Sequence, residues 1–274
     1  MGINPEISKT ITAADLQTNY HDEGEGAPVL LIHGSGPGVT AWANWRLIIP
    51  LLSKSFRVVA PDMMGFGYTQ GSDNEVYHID AWVTHLVDFV DSLGLKKVSV
   101  VGNSFGGAIA LALAIGHPER VDKIVLMGAA GVKFELTHGL NAAWGYTPSP
   151  ENMRQLLELF AYDHSIITDD LVEMRYLASI RPGFQERFSQ MFPHPRQNGI
   201  DMLAQPEELI KAIEHDTLVI HGRDDKIIPV SNSLKLNQLI DNSELHIFGR
   251  CGHWTQIEYS SRFATLVSNF LSDR

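Results

Sequence analysis

Six short, continuous apolar runs punctuate the chain: VLLI (29–32), RVVA (57–60), VSVV (98–101), KIVLM (123–127), TLVIH (217–221) and ELHIF (244–248). Runs of this length without polar alternation belong to strands covered on both faces, as in a parallel sheet. Amphipathic stretches of helical length lie between them, at about 78–93, 105–116, 231–240 and 257–271. Strands alternating with helices predict an α/β fold, a mostly parallel sheet flanked by helices on both sides. Ahead of this pattern, alternating segments at Ile7–Ile11 and Leu16–Tyr20 flank Ala14-Asp15 and read as a hairpin that contributes sheet and no chemistry.

The rhythm breaks once. From Gly131 to about Pro206 no strand-like run occurs, and the stretch is helix-like, aromatic and rich in Pro and Met. A structureless loop of that length is improbable inside a compact domain. The pattern resumes afterwards, so 131–206 is expected to be a helical lid inserted into one core built from 1–130 and 207–274.

Composition narrows the function. The chain has 274 residues, 44% hydrophobic and 19% charged, enough to bury a large core. A formal charge of -11 and the lack of a basic run argue against nucleic acid or an anionic membrane surface as partner. No apolar segment approaches a membrane span, and MGINPEISKT lacks the features of a secretory signal, so a cytoplasmic protein is expected. One cysteine, Cys251, allows no internal disulfide and no cysteine metal cluster; it reads as a structural thiol in a loop.

The chemistry concentrates where VSVV meets the helix AIALALAI, at Gly102-Asn103-Ser104-Phe105-Gly106-Gly107. A serine on a sharp strand-to-helix turn needs glycines two positions either side, and the turn lifts Oγ above the sheet. This is the nucleophile elbow of the α/β-hydrolase fold, against which stands only a chance GxSxG in a tight turn. The first helical amide, that of Phe105, is free to stabilise an oxyanion.

A serine nucleophile needs a base. Of 12 histidines, His253 in GRCGHW follows the last strand, which suits the chain order Ser, Asp, His. His117 precedes a proline at a helix end, His246 lies within a strand, His221 closes one, and His33 before GSGPG reads as a turn-shaping residue. After TLVIH come Asp224 and Asp225; the GxxDxxxP spacing from Gly222 to Pro229 selects Asp225 to orient the base, leaving Asp224 to cap or face solvent. The second oxyanion donor is expected in His33-Gly34-Ser35-Gly36-Pro37-Gly38, at the amide of Ser35 or of its neighbour Gly36, the Ser35 hydroxyl being incidental. Neither GxxxxGK nor GxGxxG is present, so a phosphate site is not expected.

Eight segments carry a more specific resemblance: HGSGPGVTAWANWR, APDMMGFGYT, VGNSFGGAIALALA, WGYTPS, FAYDHSIITDDL, RYLASIRPGFQERF, HGRDDKIIP and FGRCGHWTQIE. Together they resemble the meta-cleavage product hydrolases, nearer to those acting on 2-hydroxymuconic semialdehyde and alkyl-substituted dienoates than to the biphenyl-type branch. The resemblance covers nearly the whole chain, lid included. It implies hydrolysis of a carbon-carbon bond in ring-fission products of monocyclic catechols, a small-molecule dienoate substrate, no metal or organic cofactor, and a homo-oligomer. Ketonisation of the dienolate, attack at the adjacent carbonyl and cleavage would follow, with Ser104 either forming an acyl-enzyme or activating water.

By the same resemblance Arg175 grips the carboxylate and enolate, its guanidinium matching paired oxygens; the alternative is a surface ion pair with Glu173 or Asp170. Asn44, Asn103 and Trp254 are implied to hydrogen-bond the dienoate. Phe160, Trp144, Ala130, Ile200 and Ile228 are candidates for the apolar side of the pocket, with core packing open for each.

Overall fold

The computed structural model describes residues 4–69, 71 and 77–273, so the extreme ends of the expected core segments lie outside the described residues. The strands are β1 (Lys9–Ala13), β2 (Leu16–Glu23), β3 (Pro28–Ile32), β4 (Arg57–Pro61), β5 (Val98–Asn103), β6 (Val121–Met127), β7 (Thr217–Gly222) and β8 (Ser243–Phe248). They form one eight-stranded sheet in the order β1-β2-β4-β3-β5-β6-β7-β8. The β1–β2 and β2–β4 pairings are antiparallel and the remainder parallel. The hairpin closes on Ala14 and Asp15, whose φ values of 49° and 61° give the paired left-handed turn that follows the strand twist.

All six apolar runs are strands, and their side chains divide by parity. Leu30, Ile32, Val100, Ile124 and Leu126 pack on one face with Trp82, Leu86 and Phe89 of helix Ile79–Ser92 and with helix Phe105–Gly116. Val29, Leu31, Val101, Val125 and Met127 pack on the other with Trp45, Ile49, Phe263 and Val267. Both faces are covered over β3 to β7, which is why those runs show no polar alternation, whereas the edge strand β8 is only partly buried. Helix Val230–Leu239 agrees with its expectation to one residue at each end, whereas the expected last helix is broken at Tyr259 into Thr255–Glu258 and Ser260–Ser272. Two short helices between β3 and β4, Ala41–Trp45 and Ile49–Leu52, were not expected from the pattern.

The chain steps from β3 outward to β4, then returns past β3 to β5 and continues in the opposite direction. At such a reversal the loops leaving two adjacent parallel strands diverge to opposite faces and leave a crevice at their carboxyl ends. The loop after β3 and the turn after β5 are therefore neighbours at that crevice.

Between β6 and β7 lie helices His138–Trp144, Pro150–Phe160, Asp169–Ser179, Phe184–Met191 and Gln197–Leu203. Thr137, Ser149 and Thr168 cap three of them, each side chain accepting from an amide three residues on. Helix Asp169–Ser179 packs directly on the loop after β3: a Cβ on Gly38 would sit 2.7 Å from backbone atoms of Ala178 and Ser179.

Candidate active site

Ser104 holds φ 54° and ψ -113°, a strained conformation on the turn between β5 and helix Phe105–Gly116. Its N–H donates to the Met127 carbonyl at 2.9 Å, and its own carbonyl accepts from Gly107 and Ala130 amides at 3.0 Å each. The glycines around it are sterically obligatory. A Cβ on Gly102 would lie 2.3 Å from the Gly106 carbonyl oxygen, and one on Gly106 would lie 2.3 Å from that of Ile32.

Across the crevice His253 and Asp225 are joined, His253 Nδ1 lying 2.7 Å from Asp225 Oδ2. The other carboxylate oxygen accepts from the Ile227 and Ile228 amides at 2.7 and 3.0 Å. Burial alone would raise the Asp225 pKa, but the His253 charge and hydrogen bonds from His221 and His253 outweigh it and hold the carboxyl far below its usual range. Asp225 is thus a carboxylate, so Nδ1 carries the imidazole proton and Nε2 is the free nitrogen. Asp224 points away and meets Arg223 at 3.4 Å. Ser104 Oγ makes no hydrogen bond to His253 among the described residues; both side chains are buried, at 4% and 2% exposure.

His33 shapes the turn of the loop after β3 as expected. Its Nε2 accepts from the Met63 amide at 2.9 Å, so Nδ1 carries hydrogen and donates to the Gly34 carbonyl at 2.8 Å. Burial pushes this imidazole down to about 4, which keeps it neutral. Gly34 lets the loop close on the elbow, since a Cβ there would be 2.8 Å from Asn103 Oδ1. The Ser35 hydroxyl is not incidental: it accepts from Trp144 Nε1 at 3.0 Å and ties the helical insertion to the loop.

A cavity of about 50 Å³ lies at the crevice. Gly34, Ser35, Gly36, Asn44, Asn103, Arg175, His253, Trp254 and Phe160 of the expected residues line it. Asn44 Nδ2 donates to Asn103 Oδ1 at 3.1 Å, while Asn44 Oδ1 is buried without a partner among the described residues. Trp254 stacks on Phe160 with centroids 5.3 Å apart. Phe105 is buried below the elbow, its ring edge-on to Trp82 at 4.7 Å, with its amide in the helix's first turn.

Four expected pocket residues do not line this cavity. Trp144 stacks on Phe192 at 4.2 Å, Ala130 braces the elbow through its amide, Ile228 serves Asp225 through its amide, and Ile200 is core. The apolar wall comes instead from Met153, Leu156, Leu157 and Phe160 of one helix. Their i, i+3, i+4, i+7 spacing was visible in the sequence and marks one helix face.

Arg175 finds neither Glu173 nor Asp170. It donates to the Pro37 carbonyl at 3.2 Å and faces Glu6, 3.8 Å away, from the segment ahead of the hairpin. Burial pushes it down to about 10, with Glu6 opposing and Arg46 and Arg181 adding to the shift, so it remains a cation at neutral pH. His221, which the sequence placed only as the close of a strand, is fully buried with Nε2 3.2 Å from Asp225 Oδ2 and 3.0 Å from the Ile228 carbonyl. Ser233 Oγ meets its Nδ1 at 2.6 Å. Cys251 is buried, and its thiol is pushed up to about 12 by desolvation, which leaves it inert.

A buried serine on a glycine elbow, with a carboxylate-held histidine across the crevice, defines a hydrolase of the α/β type. The family model described as alpha/beta hydrolase fold matches residues 27–259. A 2-hydroxymuconate semialdehyde hydrolase of Pseudomonas sp. strain CF600 is 57% identical over 270 residues, covering 98% of this chain and 95% of that protein. A 2-hydroxy-6-oxo-2,4-heptadienoate hydrolase of Pseudomonas putida is 56% identical, covering 98% of each. The solved structure of a meta-cleavage product hydrolase from Pseudomonas fluorescens superposes with a TM-score of 0.97 at 60% identity, over 98% of each chain. The chain belongs to the meta-cleavage product hydrolases.

Proposed function

We propose that this enzyme adds water across a carbon-carbon bond of 2-hydroxy-6-oxo-hexa- or hepta-2,4-dienoate-type ring-fission products of monocyclic catechols. The products are 2-hydroxypenta-2,4-dienoate and a carboxylic acid. The observation that carries the reading is a cavity with both characters the substrate needs. Arg175, Asn44 and Asn103 offer polar contacts beside the elbow, and the helix Pro150–Phe160 offers an apolar wall. An esterase acting on neutral esters has no use for a buried arginine whose Nη1 lacks a hydrogen-bond partner among the described residues.

In this reading Ser104, His253 and Asp225 form the triad. Arg175 takes the carboxylate and enol oxygens, and Asn44 Oδ1 accepts from the enol hydroxyl. A proton delivered to the carbon that must leave converts dienol to ketone, after which the C6 carbonyl is attacked and the Ser35 and Phe105 amides hold the oxyanion. Cleavage gives the electron pair of the broken bond to the protonated fragment. Residues 131–206 act as a lid, and Met153, Leu156, Leu157 and Phe160 size the group on the ketone carbon. The free space of about 50 Å³ is well under the roughly 300 Å³ at which small-molecule sites begin, so the lid or Arg175 shifts when substrate enters.

The test is loss of the yellow dienolate absorbance on adding purified enzyme, with p-nitrophenyl acetate for comparison. Dienoate turnover well above ester turnover, abolished by Ser104→Ala, is expected. Faster ester turnover with unchanged dienoate absorbance overturns the proposal.

A further inference from the structure

Arg175 borders a second, much larger cavity on its far side. This outer cavity holds about 570 Å³ and is bounded at its base by Arg46, Arg175, Arg181 and Glu6. Its apolar lining is Trp42 and Leu171, both half-buried, with Met174 and Leu177, which like Asp170 and Glu173 are exposed, so water screens those two carboxylates.

The base is short of acceptors. Two guanidinium groups share one carboxylate, which lies 3.8 Å from Arg175 and 3.5 Å from Arg181, beyond ordinary charge-assisted hydrogen-bond length, and Arg46 feels the same charge at longer range. Among the described residues, Arg175 Nη1 and both terminal nitrogens of Arg181 are buried with no hydrogen-bond partner. The three side chains are nevertheless held in place. Arg46 donates to the Ala43 carbonyl at 2.7 Å, Arg175 to that of Pro37, and Arg181 to that of Ala178 while stacking on Tyr68 at 4.5 Å. Fixed, desolvated donors without acceptors make a seat for an anion, and apolar walls select one with an apolar body.

We propose that the outer cavity binds a small organic carboxylate, its oxygens on Arg175 and Arg181 in place of Glu6, and that Arg175 hands such a ligand to the inner cavity. The binding site stands independently of the reaction; its use as an entry point rests on the activity proposed above.

Sorbate (2,4-hexadienoate), which carries no ketone to cleave, is the probe. Protein labelled with 5-fluorotryptophan gives a separate fluorine resonance for each of its 5 tryptophans, assigned by Trp→Phe variants. Trp42 reports the outer cavity and Trp254 the inner. Sorbate is expected to shift the Trp42 resonance saturably. In Arg46→Gln/Arg181→Gln the Kd read there rises about tenfold or more, while that read at Trp254 stays within about twofold. Should that variant not fold, Glu6→Gln decides: removing the competing carboxylate tightens sorbate binding at Trp42 by about threefold. An unmoved Trp42 resonance, a double-variant Kd within about twofold, or weaker binding in Glu6→Gln overturns the site. In turnover, the double variant lowers kcat/KM for the ring-fission product and flattens its salt dependence while kcat holds. Complete absence of dienoate turnover would sink the reaction instead, and the sorbate titration would still decide the site.

Discussion

Asp225→Asn keeps the shape of the side chain and exchanges one acceptor for a donor, and the surroundings dictate which way the amide turns. Oδ1 accepts from the Ile227 and Ile228 amides, while Oδ2 faces His253 Nδ1 and His221 Nε2. An asparagine that keeps its oxygen on the two backbone amides must present NH2 to His253. Nδ1 then becomes the acceptor, the proton moves to Nε2, and the imidazole can no longer take a proton from Ser104. Turning the amide over restores the tautomer but leaves two buried N–H groups without an acceptor, at about 1–3 kcal/mol each. The productive arrangement therefore costs about 2–6 kcal/mol, a rate loss between about 30-fold and 10⁴-fold, to which loss of the charge opposite the imidazolium adds. The assay is kcat from dienolate absorbance, with thermal unfolding to establish that the variant is folded. A folded Asp225→Asn enzyme within about tenfold of the parent kcat would refute the assignment of this tautomer as the working one.

Three further outcomes are expected. Arg175→Ala should lower kcat/KM for the dienoate by about 10²-fold or more, the range of a lost charged hydrogen-bond pair, while moving neutral-ester turnover far less; equal effects on both would make Arg175 purely structural. Stability should fall between pH 6.5 and 4, because burial holds native His33 and His85 at about 4 while the unfolded chain protonates near 6.5, about 3 kcal/mol for each histidine. Asp62, raised by burial to about 6, binds a proton in the native state and offsets roughly one of these, so a net loss of about 3 kcal/mol is expected and a urea midpoint unchanged from pH 7 to 4.5 would contradict it. Gly106→Ala places a Cβ 2.3 Å from the Ile32 carbonyl oxygen and should cost more than about 3 kcal/mol, whereas Gly116→Ala at the end of the same helix meets nothing within 4 Å and should be neutral or stabilising; the reverse ranking by denaturant unfolding would refute the steric account.

The inner strand positions were legible because both sheet faces are covered there, so local composition and final environment coincide; the half-exposed edge strand β8 was legible from its alternating apolar residues. The positions of Ser104, Asp225 and His253 were legible because each sits at the carboxyl end of a strand inside a short motif whose glycines have a steric reason. The pocket lining was harder. Trp144, Ala130, Ile200 and Ile228 are apolar, yet whether such a residue faces the cavity or the layer behind it depends on how the inserted helices dock. Docking put the face 153–157–160 inward and turned the Trp144 indole toward Ser35.

The sequence by itself determined the elbow, the order Ser104, Asp225, His253, and the alternation of strand and helix, since each follows from backbone sterics and periodicities within a few residues. Only the tertiary structure decided which groups surround them. Glu6 reaches Arg175 across more than half the chain, Ser35 receives a hydrogen bond from the insertion, and His221 meets Asp225 because the turn folds back on its own strand. The first two join residues far apart in sequence and need the inserted helices to dock on the loop after β3; the third is local, but depends on how the turn after β7 closes.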